Sequence, residues 1–150
     1  MSPYETEINP NVSSNEYDNG SFTRDGQILS YEDDGYTSRF GVDVSRHQGA
    51  IDWKKAREAG VTFAFIRIGY RGYGKEGTLN LDQRFEENIV NAQKEGIDVG
   101  VYFFSQAINE EEAREEAEFV LDALEGYELQ LPVVYDPESI LDAKARTDDV

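Results

Sequence analysis

From Phe40 onward, short apolar blocks alternate with longer stretches in which apolar positions recur every three or four residues. Phe40–Val44 reads as a short apolar strand, and Val61–Ile68 (VTFAFIRI), Ile97–Phe104 (IDVGVYFF) and Leu131–Tyr135 are β-branched and aromatic runs. Such runs have the composition of strands buried on both faces. Between them the period changes to that of helices. Asp52 is placed to cap a helix over Trp53–Ala59, with Gly60 as its left-handed terminator. Leu81, Phe85, Ile89 and Ala92 fall on one helical face of the segment Leu81–Glu95, which Gly96 ends. Asn109, followed three residues later by Glu112, is a capping-box pattern for a helix to about Leu124. Its Ala113, Ala117, Val120 and Leu124 point inward, and its acidic outer face reads as solvated surface.

The resulting order is βαβαβαβ. Strands that alternate with helices at this spacing form a parallel sheet with right-handed crossovers, so the fold class is α/β. Each strand ends in polar or aromatic residues: Asp43, Gly69-Tyr70, Ser105-Gln106, and Asp136 with Glu138. In parallel α/β folds the carboxyl ends of strands are where sites are built. The fourth strand carries the sharpest signal, Leu131-Pro132-Val133-Val134-Tyr135-Asp136-Pro137-Glu138. Alternation along an extended chain points Asp136 and Glu138 the same way, with Cα atoms about 6.5–7 Å apart. Paired acids at such a distance, at the end of a buried strand, can be driven to different protonation states, as acid catalysis requires.

Residues 1–38 have a different texture. They are rich in Ser, Asn, Gly, Asp and Glu, with eight acids against one base, and no period runs through them. Such a segment offers little apolar surface to offset its ordering entropy, so it reads as a disordered acidic stalk or linker. A short hairpin around Thr23–Tyr31, turning at Asp25-Gly26, is its one structural signal.

Composition removes several function classes. With 31 Asp+Glu against 14 Lys+Arg, the net charge of the 150 residues is −17. Nucleic acid and anionic membranes are poor partners for such a surface. The absence of cysteine excludes disulfides and thiolate metal sites, and a single histidine, His47, excludes a His-rich zinc centre. No apolar run has the ~20 residues of a membrane span. No strand-to-helix phosphate-binding glycine turn appears, and no metal or cofactor is implied.

Four motifs in register make a family visible. Gly41-Val42-Asp43-Val44-Ser45-Arg46-His47-Gln48-Gly49 with Ile51-Asp52-Trp53 resembles the opening motif of glycoside hydrolase family 25, the Chalaropsis-type muramidases. Phe63–Tyr70 resembles the second strand of that family, Gly100–Ser105 its third, and Leu131–Glu138 its D-x-E strand. The resemblance implies the first half of an irregular, TIM-like β/α barrel acting on peptidoglycan, at the β-1,4 bond from N-acetylmuramic acid to N-acetylglucosamine. It implies Glu138 as the general acid, Asp136 as the carboxylate that orients the 2-acetamido group of the substrate, and Asp43 as a further acid of the active site. Tyr70, Tyr102 and Tyr135 become candidate sugar contacts. Arg67, on a buried strand, is a substrate-side candidate expected to pair with Asp43 or Asp136. His47 reads as a loop residue hydrogen-bonded locally, and Trp53 as core. An extracellular or cell-wall location follows, with no export signal in the sequence as it stands.

The resemblance also marks departures. Family members continue past the D-x-E strand, whereas Thr147-Asp148-Asp149-Val150 looks like the capped start of an interrupted helix. Residues 39–150 therefore read as a partial catalytic domain, truncated after the fourth strand. Pro137 between the two acids removes a backbone donor and fixes φ. A half barrel leaves open sheet edges, so self-association is expected, and the alternative to an active hydrolase is an inactive glycan-binding or structural fragment.

Overall fold

The computed structural model describes residues 11, 13, 15–73 and 75–138. The expected helix start at Thr147–Val150 lies outside the described residues. The chain divides into two compact units, Met1–Ser38 and Arg39–Val150.

Within the segment read as a stalk, the described residues contain the hairpin that Asp25-Gly26 signals. Strand β1 (Phe22–Asp25) pairs antiparallel with β2 (Ile28–Tyr31). Gly26 takes φ of 58° at the turn, a region that glycine enters without steric cost. Aromatic rings supply the packing that aliphatic residues do not. Tyr31, 6% exposed, is met edge-on by Phe22 at 4.7 Å and Tyr17 at 5.2 Å. Its hydroxyl donates to the Asp33 carboxylate and accepts from the Asp18 N–H.

The second unit is the α/β fold that the pattern predicts. Strands β3 (Gly41–Val44), β4 (Phe63–Arg71), β6 (Asp98–Ser105) and β7 (Val133–Pro137) form a parallel sheet in the order β3-β4-β6-β7. Helices α1 (Trp53–Glu58), α2 (Phe85–Lys94) and α3 (Glu110–Ala123) make the crossovers. One strand is additional. Leu79–Leu81, read as the start of a helix, forms β5 and pairs antiparallel with Gly69–Arg71 at the end of β4. Since β6 runs along one edge of β4 from Phe63 to Tyr70, β3 and β5 divide the other edge between them. That pairing pulls the chain out of helical conformation until Phe85.

The helix-facing side of the sheet holds the core. Ala64, Ile66 and Ile68 of β4 and Val99 and Val101 of β6 are fully buried, packed with Phe85, Ile89 and Ala92 of α2 and with Trp53 of α1. Each large aliphatic buried in this way contributes roughly 1.5–3 kcal/mol. Trp53 also donates through Nε1 to Asn88 Oδ1 over 3.3 Å. The caps match the sequence signals: Asp52 accepts the Lys55 N–H, and Asn109 accepts the Glu112 N–H. Helix α3 departs from expectation in one respect. Glu116, assigned to the solvated face, is 2% exposed and accepts from Arg71 Nε at 2.8 Å and from the Ser105 hydroxyl at 2.6 Å. Ala117, assigned inward, is exposed.

Candidate active site

The opposite face of the sheet carries the polar strand ends. Register places Asp43 beside Phe65, Tyr102 beside Val134, and Phe104 beside Asp136. Asp43, Phe65, Tyr102, Val134 and Asp136 line one open cavity of about 400 Å³. Asp43 is exposed and Asp136 half-buried, so both carboxylates are open to a ligand. Glycines shape the floor. The ring of Phe65 lies where a side chain at Gly100 would be, since a Cβ there would come within 2.5 Å of its Cε1. Phe63 fills the space above Gly41 in the same manner.

Glu138 follows β7 directly. It is exposed, and its N–H donates to the Ser105 carbonyl over 3.2 Å, which ties its backbone to the end of β6. Tyr102 lines the cavity beside the two acids. Burial pushes its hydroxyl above the ordinary tyrosine value of 10.0, Arg67 pulls it down and Asp43 pushes it up, with the net shift upward. It stays protonated at neutral pH.

Arg67 pairs with neither expected partner. Its Nε and one terminal nitrogen reach Asp82 Oδ2 at 2.8 and 2.7 Å, with the two side chains 9% and 1% exposed. Asp82 was not identified from sequence because it sits in the turn before α2, among residues assigned to the helix. An acid just ahead of an apolar-periodic segment was the available signal. Its two oxygens serve three groups: Oδ2 also accepts the Arg46 N–H at 3.1 Å, and Oδ1 accepts the Arg84 N–H at 2.9 Å. Burial of the guanidinium is thus offset by a carboxylate buried with it.

The three tyrosines separate. Tyr102 lines the cavity with the acids. Tyr70 sits on the same side of the sheet but is engaged with arginines: the guanidinium carbons of Arg67 and Arg46 lie 5.0 and 5.6 Å from its ring centroid. Tyr135 is on the other side, where its hydroxyl donates to Ser105 Oγ at 2.9 Å, the Ser105 proton being given to Glu116, and its ring borders an apolar groove with Val120, Leu121 and Val133. Alternation along β7 sends Tyr135 and Asp136 to opposite faces, so the structure does not bring Tyr135 to the acids. His47 hydrogen-bonds locally through its N–H, to Ser45 Oγ. No helix among the described residues is long and apolar enough to cross a membrane.

Residues 42–149 match the family profile described as Glycosyl hydrolases family 25. Lysozyme M1 of Streptomyces globisporus is 41% identical over 66 residues, which cover 44% of this chain and 20% of that protein. A family 25 glycosyl hydrolase from Bacillus anthracis superimposes with a TM-score of 0.58 at 29% identity, covering 81% of this chain and 52% of the other. The modular autolysin LytC from Streptococcus pneumoniae, solved in complex with a synthetic peptidoglycan ligand, gives a TM-score of 0.58 at 28% identity, covering 73% and 28%. The chain thus spans about half the length of the Bacillus protein (52%) and less of the others.

Proposed function

The chain belongs to glycosyl hydrolases family 25, matched over residues 42–149, and from that membership we propose that it is a peptidoglycan hydrolase of the muramidase type. The reading assigns Arg39–Val150 to the catalytic domain. It acts at the bacterial cell wall, on the β-1,4 bond from N-acetylmuramic acid to N-acetylglucosamine. The observation that carries it is the convergence of Asp43, Asp136 and Tyr102 on one open cavity at the carboxyl ends of parallel strands, with Glu138 at the end of the same strand as Asp136.

Glu138 is exposed and its backbone is held by the Ser105 carbonyl, which leaves its carboxyl group free to reach a bound glycan. In this reading it protonates the glycosidic oxygen as the bond to the anomeric carbon breaks. The carbonyl oxygen of the substrate's own 2-acetamido group closes on that carbon, and Asp136 holds the acetamido N–H. Water then opens the cyclic intermediate, returning a proton to Glu138 and retaining configuration. This is a substrate-assisted variant of two-carboxylate glycoside hydrolysis. Asp43 and the Tyr102 hydroxyl bind the sugar, with the Arg67 charge beneath them.

The test is release of new reducing ends from purified peptidoglycan, followed by borohydride reduction and sugar analysis. Glu138→Gln is expected to lower the rate by about 10²–10⁴-fold, the usual contribution of a general acid. The reduced end is expected to be N-acetylmuramitol. Undiminished cleavage by Glu138→Gln, or N-acetylglucosaminitol as the product, defeats the proposal. The openness of the cavity face, where Asp43 and Val134 are both exposed, favours a second reading as a glycan-binding fragment. Wall binding with no new reducing ends selects it.

A further inference from the structure

Beside the acidic cavity lies a cationic one. Arg46, His47 and Arg84, with Gly49 and Gln83, line an open cavity of about 730 Å³. On a chain of net charge −17, two arginines, Arg46 and Arg84, share this one cavity.

The cluster is held from below. Asp82, 2% exposed, accepts the backbone N–H of Arg46 through Oδ2 and that of Arg84 through Oδ1, at 3.1 and 2.9 Å. One buried carboxylate therefore fastens the loop after β3 to the turn before α2 and fixes where both arginines emerge. Arg67 holds that carboxylate in turn. The Arg46 guanidinium lies over the Tyr70 ring at 5.6 Å and forms no ion pair among the described residues. Stacking occupies the face of a guanidinium and leaves its in-plane N–H donors for a ligand. Arg84 is partly neutralised by Glu87, whose carboxylate lies 2.5 Å from it. The imidazole of His47 is exposed. Arg67 and Tyr70 connect this cavity to the acidic one, since Arg67 touches Tyr70 and its charge acts on Tyr102.

We propose that this cavity is an anion subsite, which takes a carboxylate or phosphate group carried by the wall polymer next to the glycan strand in the acidic cavity. The proposal rests on the peptidoglycan reading above. It gives an acidic protein a local means of holding an anionic polymer that its overall field repels. Two sources carry the chemistry: the carboxylates of the peptide stems, and the phosphodiesters of wall-linked polymers.

The experiment measures binding without turnover, in the Glu138→Gln chain, by calorimetric titration. One probe is a soluble muropeptide bearing an acidic stem, and the other is an oligomer of glycerol phosphate. The subsite predicts binding of at least one probe, weakening as salt rises from about 0.05 to about 0.3 M through screening. Charge reversal at both arginines (Arg46→Glu with Arg84→Glu) is expected to weaken it by about tenfold or more. Arg46→Lys with Arg84→Lys retains part of it, and Lys94→Glu, on the far end of α2, leaves it within about twofold. If the reversed chain does not fold, the pair Arg46→Ala and Arg84→Ala replaces it. Preference for the muropeptide identifies stem carboxylates, and preference for the oligomer identifies phosphodiesters. Binding of neither probe, or reversal that leaves both affinities within about twofold, overturns the subsite. Because nothing is cleaved in this measurement, its failure is separable from failure of the hydrolase reading, which is scored on reducing ends alone.

Discussion

The guanidinium carbon of Arg67 lies 5.0 Å from the ring centroid of Tyr70, although the two residues are three apart on one strand. Regular alternation would put them on opposite faces. The register between β4 and β6 shifts between Arg67 and Gly69, and this bulge adds one residue. Ile68 joins the core, Gly69 faces Phe103 and Phe119, and Tyr70 returns to the side of Arg67. The bulge thus places a buried cation and an aromatic ring under one rim.

Asp82 holds that cation. Asp82→Ala leaves the Arg67 charge buried without a partner, and the expected loss of stability is about 3–5 kcal/mol. Urea unfolding followed by circular dichroism measures it. Arg67→Lys is expected to fall short of wild type as well, because an ammonium does not reproduce the fixed fork that meets Asp82 Oδ2.

Under the proposed function, Tyr102 acts through its hydroxyl. Tyr102→Phe is expected to lower peptidoglycan cleavage while leaving the urea midpoint nearly unchanged. Its folded pKa is raised by burial, with Arg67 opposing and Asp43 adding to the shift. The protonated form is therefore the one the fold favours. The stability it contributes is complete below the unfolded value near 10.0 and is lost as pH rises through the higher folded value. Tyr31, whose hydroxyl is raised by its hydrogen bond to Asp33, also ionises late, so spectrophotometric titration is expected to show late-ionising tyrosines in the wild type and one fewer in Tyr102→Phe.

On the far face, Arg71 is the hub of a buried network. Burial works against its charge, but hydrogen bonds to Glu116 and Glu115 and the charge of Glu112 outweigh it and hold its pKa above the ordinary arginine value. Arg71→Met strands Glu116, which is 2% exposed, and is expected to cost about 3–5 kcal/mol. Adding Glu116→Leu is expected to restore part of that loss, since the double variant leaves no buried charge unpaired. A double-mutant cycle in urea measures the coupling.

Gly100 is required by Phe65 and by the backbone of the next segment. A Cβ at this position would lie 2.5 Å from Phe65 Cε1 and 2.8 Å from the Pro132 carbonyl oxygen. The ring can move and the carbonyl cannot. Gly100→Ala is expected to destabilise by about 1–3 kcal/mol, the range for overpacking. Phe65→Leu in the same chain is expected to recover only part, as read by thermal unfolding.

Among the described residues β7 pairs on one side only, with β6, and Val133 and Tyr135 on it are 48% and 56% exposed. An apolar unpaired edge favours self-association. Sedimentation velocity is expected to show concentration-dependent assembly that Val133→Lys suppresses. A wild-type chain that stays monomeric across the accessible concentration range would sink this expectation.

The parallel α/β order, the helix caps at Asp52 and Asn109, and the placing of Asp43, Asp136 and Glu138 at strand ends were legible in the sequence. Those features depend on local period and on cap chemistry, which a chain displays residue by residue. The remaining features depend on register and on partners distant in sequence. The bulge beside Ile68 overrides alternation, so Tyr70 joins Arg67. The antiparallel pairing of Leu79–Leu81 with the end of β4 replaces the first turn of a helix. Asp82 becomes the partner of Arg67, and Glu116 leaves its solvated face for Arg71, because a buried guanidinium must be met by whichever carboxylate the fold brings within reach. Tyr135, adjacent to Asp136 in sequence, falls on the opposite face because a strand gives its neighbours to different sides.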